Sequence, residues 1–446
     1  MCDYEPMSRG PVSIEPDMQR LTRHQGDREQ LLAEYHQVAD QAVKAGRKAI
    51  RVLAPRLLSL IAEPKMLRAA FDHLAEKGGQ APGHDVRRIT DYSSSEAWEL
   101  CRALSHAILA GTYRPGPERI CRIDKGNGRG QRQLILLNVA DRIVQRAVTM
   151  ILQPLFDPGF DPRSFGFRRQ RSHLQAVAVA ENLLLTQGRR VWVIHDIKTA
   201  FEHVSIPRLL NLLHGVLPDD ALSEFLRRTL GGKTLKGLPQ GGSASPLMLN
   251  FYLNHFLDRP WRKAHPNIAM LRFADDLLVL CSDVQQARHV DEELRRLLHP
   301  TGMTLKATAD EAIHDLTAGA APTWLGFQFT PAEHGLAMHL TDGSWARLAK
   351  HLSLAHTRGD SPLVAERLVY GWLKARGPAF AWSDVPKVLS RVIRIARRFG
   401  FEEVACKSDL HQAWQTSHAR WCKLRKAVRV QDSDPPTRTV TGSCPR

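Results

Sequence analysis

No apolar run in this sequence approaches the roughly 18 residues that a spanning helix needs. Met1-Cys2-Asp3-Tyr4-Glu5 has no basic region followed by an apolar core. Neither a membrane helix nor a secretion signal is expected, so the chain reads as cytoplasmic with no membrane partner. Cysteine is scarce: there are seven, at positions 2, 101, 121, 281, 406, 422 and 444, with no C-x-x-C pair. Their odd count and isolation argue against a disulfide framework and against a structural zinc site. Acidic residues are outnumbered, 46 against 62 Lys and Arg, which leaves a net charge of +16 and a pI near 9.8. A chain so basic gains from releasing the counterions of a polyanion, and nucleic acid is the expected partner. No repeat or low-complexity tract is visible. With 446 residues, 43% of them apolar, there is enough chain for two or three domains, each with its own core.

Three blocks carry chemistry. Leu271-Arg272-Phe273-Ala274-Asp275-Asp276-Leu277-Leu278-Val279-Leu280 sets two adjacent carboxylates between short apolar runs, the pattern of a β-hairpin with both acids at its turn. An Asp pair at a turn is ordinary by itself, because Asp hydrogen-bonds its own backbone there. Upstream, however, Val191-Trp192-Val193-Ile194-His195-Asp196 reads as a buried strand with one carboxylate at its end. Between the two lies Gly237-Leu238-Pro239-Gln240-Gly241-Gly242-Ser243-Ala244-Ser245-Pro246, whose Pro suits the first turn of a helix.

In this order and spacing the blocks resemble the palm motifs of bacterial reverse transcriptases of the group II intron type, over roughly residues 66–345. The resemblance implies an α+β right-hand fold and an RNA-directed DNA polymerase. Asp196, Asp275 and Asp276 would be its catalytic carboxylates, holding two Mg²⁺ ions, or Mn²⁺ in their place, with the backbone carbonyl of Ile197. Phe201 would lie under the sugar of the incoming nucleotide, where a 2′-hydroxyl would collide with it. Lys125 and Arg132 flank the turn Gly126-Asn127-Gly128-Arg129-Gly130, and would close over the triphosphate. Gln240 is expected at the nascent base pair, with Gly241 permitting close backbone approach to it. Ser164-Phe165-Gly166-Phe167-Arg168-Arg169-Gln170-Arg171-Ser172 resembles the family's S-Y-G-F-R-P-x-R-S, so Arg168 and Arg171 are expected to grip the template. There are departures from the pattern. Phe273 replaces Tyr before the acidic pair, Ala140 replaces an Arg in the block Asn138–Val148, and Gly302–Asp310 lacks E-K-T, leaving Lys306 as the nearest lysine.

The expected organisation is an N-terminal helical extension at 1–65, fingers at 66–190, a catalytic palm at 191–345, a basic helical thumb at 346–430 and a disordered tail at 431–446. Within the extension, Leu31 through Ile61 have helical apolar spacing. In the thumb, Arg391, Arg394 and Arg398 lie at helical spacing and are expected to bind template and primer. An RNA template, a DNA product and deoxynucleoside triphosphates are the expected partners, and oligomerisation is left open. With no zinc-bearing endonuclease signature, a domesticated enzyme working on its own structured RNA, for instance in antiphage defence, is attractive. An intron maturase and a template-independent DNA polymerase are the alternatives.

Overall fold

The computed structural model describes residues 28–124, 131–231, 236–332, 335–404 and 407–433. The expectations for residues 1–27, for Lys125 through Gly130 and for residues 434–446 fall outside them. The described chain opens with α1 (Arg28–Ala45), α2 (Arg47–Ala62) and α3 (Pro64–Lys77). The spacing over Gln30–Ala62 predicts a helical extension. Gly46 at φ +93° divides it in two, a backbone that glycine adopts freely because it has no Cβ. Helix α4 (Ser94–Leu109) starts at a reciprocal capping box between Ser93 and Glu96. The hairpin β1 (Arg119–Asp124) and β2 (Gln131–Leu136) follows, and α5 (Val139–Phe156) packs against α1, α2 and α3. Leu53, Leu57, Met66 and Phe71 therefore share one core with Ile143 and Leu152.

Next come α6 (His173–Gln187), β3 (Val191–Asp196), α7 (Ala200–His203), α8 (Ile206–Val216), α9 (Asp220–Gly231) and α10 (Ser245–Leu253). Helix α10 has its proline in the first turn as expected. One π turn at Asn254–Asp258 carries it into α11 (Arg259–Ala264). Strands β4 (Met270–Phe273) and β5 (Asp276–Cys281), helices α12 (Val284–Leu298) and α13 (Ala309–Ala312), and β6 (Ile313–Asp315) complete this part. The sheet order is β4-β5-β3-β6, antiparallel throughout. Alternation along the strands builds two cores. Val191, Val193, Leu277 and Val279 join the core of the N-terminal helices. Trp192, Leu278 and Leu280 face the opposite way, into a core with α6.

A second sheet, β7 (Thr323–Trp324), β8 (Phe327–Ala332) and β9 (Gly335–Leu340), covers that second core with Trp324, Phe327 and Phe329. Four helices follow: α14 (Asp342–Thr357), α15 (Pro362–Arg376), α16 (Val385–Arg398) and α17 (Lys407–Ser433). They have a core of their own around Trp345, Leu352, Leu389 and Trp414. The expected helical segment at 346–430 is helical, but α17 runs on through Ser433, so residues 431–433, expected as the start of a disordered tail, are helix. The architecture is α+β, as expected.

Helix α17 fastens this bundle to the rest. Trp421 enters the second core, and Arg425 pairs with the buried Glu181 of α6, Nη2 to Oε1 at 2.8 Å. Removing the arginine would strand a desolvated carboxylate. Arg425→Ala is expected to lower unfolding stability by about 1–3 kcal/mol, whereas Arg429→Ala on the exposed side of the same helix changes it little. Denaturant unfolding measures both, and equal effects would show that Glu181 has no need of its partner.

Candidate active site

The register of β3 against β5 makes Asp196 the direct partner of Asp276, so both carboxylates leave the same face. They extend the rows Trp192–Ile194 and Leu280–Leu278 at the open end of the second core. Phe273 pairs with Asp276, leaving Ala274-Asp275 as a two-residue turn. Of these two, Ala274 alone is left-handed, at φ +61°. Asp275 is tied to the end of β3, because the Ile197 N–H donates to its carbonyl at 2.9 Å. The segment after α12 closes the third side. Lys198 N–H donates to the Thr304 carbonyl at 2.8 Å, and Lys306 N–H donates to the Asp196 carbonyl at 3.0 Å. The altered 302–310 block therefore delivers Lys306 to the carboxylates.

Burial first, then the Asp275 and Asp196 carboxylates, push Asp276 up to about 7, and Lys306 draws it back. Two buried pairs brace the strands that carry the acids. His195 Nε2 lies 2.6 Å from Asp291 Oδ1 on α12, and Asp291 also accepts from Arg295. Arg272 is fully buried: its Nε donates to Asp258 Oδ1 at 2.8 Å, and its Nη1 to Asn250 Oδ1 at 2.8 Å and to the Ala274 carbonyl at 3.0 Å. Neither brace was foreseen from the sequence. The signal for Arg272 was a charged residue on the inward side of the apolar strand Met270-Leu271-Arg272-Phe273.

Phe201 lies in α7, 9% exposed, with its ring edge-on to Phe167. Its carbonyl accepts from Leu238 N–H at 2.8 Å, which joins α7 to the Gly237–Gly242 loop. In that loop Gln240 Nε2 donates to Glu202 Oε1 at 3.2 Å, and the Gln240 carbonyl accepts from Ile135 of β2 at 2.7 Å. Gly241, at φ +126°, would place a Cβ 2.3 Å from the Ile135 carbonyl oxygen. Within the chain, the close approach this glycine permits is to strand β2. Lys125 lies outside the described residues, and Arg132 is described only as the β2 position opposite Ile123.

The expectation for Arg168 is corrected. Its side chain is 6% exposed; Nε bonds Asp157 Oδ1, Nη1 the Asp161 and Ser164 carbonyls, and Nη2 the Asp157 carbonyl. With four of its five N–H donors directed at the protein, it shapes the turn. Arg171 stays exposed, with Nη1 3.3 Å from the Pro162 carbonyl. Arg391, Arg394 and Arg398 lie on the exposed side of α16, opposite Leu389, Val392 and Ala396. Arg391 is partly engaged, its guanidinium 4.1 Å above the Trp345 ring. Beside the acids, a cavity of about 940 Å³ runs from Asp196 and Asp276 past Lys306 and Trp324 to Arg347 and Arg376. Acid at one end and cations along the wall suit a phosphate backbone whose terminus reaches the carboxylates.

Among the described residues, no three His, Cys, Asp or Glu side chains are already gathered tightly enough to ligate one ion. The donor set nevertheless fits Mg²⁺. It consists of oxygens only, two facing carboxylates with a third at the turn, and Mg²⁺ commonly takes one or two carboxylates plus water and substrate phosphate. Burial lifts Asp276 most, and the repulsion that adds to it is what a divalent cation would relieve.

Residues 123–329 match the family described as reverse transcriptase (RNA-dependent DNA polymerase). This stretch is similar to reverse transcriptase domains of the group II intron-like type. Protein YkfC of Escherichia coli strain K12 is 35% identical over 216 residues, covering 45% of this chain and 56% of that protein. The group II intron-encoded protein LtrA of Lactococcus lactis subsp. cremoris is 29% identical over 232 residues, covering 50% of this chain and 38% of LtrA. The putative COX1/OXI3 intron 1 protein of Saccharomyces cerevisiae is 26% identical over 48% of this chain and 28% of its own length. The chain thus spans about half, or less, of the length of these relatives. A solved chain of a partial Cas6-RT-Cas1–Cas2 complex aligns with 53% of this chain and 40% of its own, at 24% identity and a TM-score of 0.34. The described residues have an α+β fold of helices and antiparallel sheets. Among the described residues no helix is long and apolar enough to cross a membrane.

The pKa of Asp276 gives a test. Its folded carboxyl titrates near 7, against about 3.9 in an unfolded chain. The metal-free protein therefore loses stability as pH rises from about 4 to about 7. In chelator at pH 8, Asp276→Asn is expected to be more stable than the unchanged protein by on the order of 1–4 kcal/mol, the gap closing toward pH 4. Urea unfolding at both pH values measures it, and a gap independent of pH would contradict the raised pKa of Asp276.

Proposed function

We propose that this protein is an RNA-directed DNA polymerase that extends a 3′-hydroxyl with deoxynucleotides. The observation that carries the reading is the strand register that pairs Asp196 with Asp276 beside Asp275, inside a reverse transcriptase domain. Asp196, Asp275, Asp276 and the Ile197 carbonyl would hold two Mg²⁺ ions, or Mn²⁺, which when bound favour deprotonation of the primer hydroxyl and neutralise charge on the leaving pyrophosphate. Lys306 brings a positive charge to the same corner and substitutes for the missing lysine of the E-K-T block. Phe201 forms the floor under the sugar, Gln240 faces the nascent pair, and Lys125 and Arg132 hold the triphosphate. Arg347 and Arg376 line the path of the nucleic-acid backbone, with Arg171 and the α16 arginines as outer contacts. The fingers at 66–190, palm at 191–345 and thumb at 346–430 divide these tasks. A structured RNA of its own as template and a cytoplasmic role in antiphage defence complete the proposal. Sequencing the RNA that copurifies with the protein separates that role from intron maturation.

Changing Asp275 and Asp276 together to Ala is expected to abolish primer extension while leaving RNA affinity within about threefold, since most of the phosphate-binding surface lies elsewhere. A double mutant that still polymerises would overturn the assignment. A wild type that extends DNA equally well with no template would favour the template-independent reading.

Charge reversal at Arg394 and Arg398 is expected to flatten the dependence of log RNA affinity on log salt by about one unit for each phosphate that these arginines neutralise. It should also shorten the products of a single binding event. If slope and product length are both unchanged, these arginines are simply solvated and the thumb is not gripping RNA through this face.

A further inference from the structure

Phe167 is an anomaly beside the site. It is 51% exposed, and its backbone is left-handed at φ +57°, a conformation costly for a residue with a Cβ. Strain of this kind persists where the surroundings impose it, and it concentrates at functional sites. Here the surroundings are explicit. Phe165 N–H donates to the Arg272 carbonyl at 2.8 Å, and Arg272 N–H donates to the Arg163 carbonyl at 3.0 Å. Asn250 Nδ2 donates to the Gly166 carbonyl at 2.7 Å, and Gln153 Nε2 to the Phe167 carbonyl at 3.2 Å. Gly166 lies so close to the acidic hairpin that a Cβ there would sit 2.3 Å from the Ala274 nitrogen. On the other side Arg168 is locked into Asp157.

The turn is thus clamped to the strand that carries Asp275 and Asp276, and one large apolar ring is left protruding from it. That ring meets Phe201 edge to face, with centroids 6.4 Å apart and planes at 74°. A ring needed only for packing would be buried, and a turn needed only for its shape would take Asn or Gly at this φ.

We propose that Phe167 is a specificity-determining residue for the sugar of the incoming nucleotide, acting as one unit with Phe201. This rests on the reading of Phe201 as the sugar gate. Phe167 occupies the space into which the Phe201 ring would otherwise retreat when a 2′-hydroxyl presses on it. The clamps then transmit the position of the acidic hairpin to both rings.

The experiment compares kcat/KM for ribonucleotide and deoxynucleotide on the full chain and on four variants: Phe167→Asn, Phe167→Tyr, Phe201→Ala and the double change Phe167→Asn with Phe201→Ala. Asn tolerates the left-handed backbone, so the ring is removed without reshaping the turn, and thermal melting checks the fold. Phe167→Asn is expected to raise ribonucleotide use relative to deoxynucleotide by at least about fivefold. Phe167→Tyr should keep the wild-type ratio, and the double variant should match Phe201→Ala, as expected for coupled neighbours. If Phe201→Ala shifts the ratio and Phe167→Asn does not, the gate stands and this proposal is overturned. A double variant whose effect is the product of the singles also overturns it, because the rings would then act independently. If Phe167→Asn shifts the ratio and Phe201→Ala does not, the gate reading fails and sugar selection rests on Phe167. If neither shifts it, both fail.

Discussion

A β-sheet with a core on each face has little freedom in register, and in this protein the chemistry depends on that constraint. Trp192 and Leu278 must enter the core with α6, while Val193 and Leu277 must enter the core of the N-terminal helices. A slip of one residue along β3 would turn every one of its side chains to the wrong face. It would also carry the Asp196 carboxylate away from the face it shares with Asp276. Hydrophobic burial therefore drives together three carboxylates that repel one another, and the rise of Asp276 to about 7 records the cost, first of its own desolvation and then of that repulsion. The site is held against its own electrostatics by packing that extends well beyond it.

The acidic block was legible in the sequence because its signals are local. Two apolar runs of strand length bracket Asp275 and Asp276, and a third ends at Asp196. Their pairing needs only the alternation that the runs display. The helix starting at Ser245-Pro246 was legible for a similar reason, since a proline in a first turn is a local preference. What could not be read was partnership. Arg168 and Arg171 look alike in a basic turn, yet one is enclosed by Asp157 and carbonyls and the other faces solvent. Gly241 announces a close approach without saying to what, and the answer is a strand more than a hundred residues earlier in the chain. Gly46 sits within a pattern whose helical period continues on both sides, so the period alone hid the break.

Two arginine–carboxylate pairs, the part-buried Arg168 with Asp157 and the buried Arg272 with Asp258, frame the same small region. Burial pushes Asp258 up, and the Arg272 charge draws it back. Such pairs give little net stability, since the desolvation of both ions offsets much of their attraction. Their geometry is demanding, however. Arg272 meets both oxygens of Asp258 and also reaches Asn250 and the Ala274 carbonyl. An apolar replacement could fill the same volume but could not fix the turn carrying Asp275 relative to α10.

This use of arginine divides the basic excess of the chain into two parts. Two cations within the hairpin-and-turn unit, Arg168 and Arg272, are neutralised and serve to align the acids. In the proposed function, the binding of a polyanion falls to other cations: Lys306 and Arg347 on the cavity wall, Arg171 at the turn, and Arg394 and Arg398 on α16. Such an arrangement would keep the proposed catalytic corner anionic enough to attract divalent cations while the surrounding surface attracts phosphate. Were Arg168 and Arg272 exposed beside the carboxylates, they would compete with the metals for the same oxygens. Enclosing them in ion pairs removes that competition, which is a physical reason for the fold to place its most costly interactions next to its active residues.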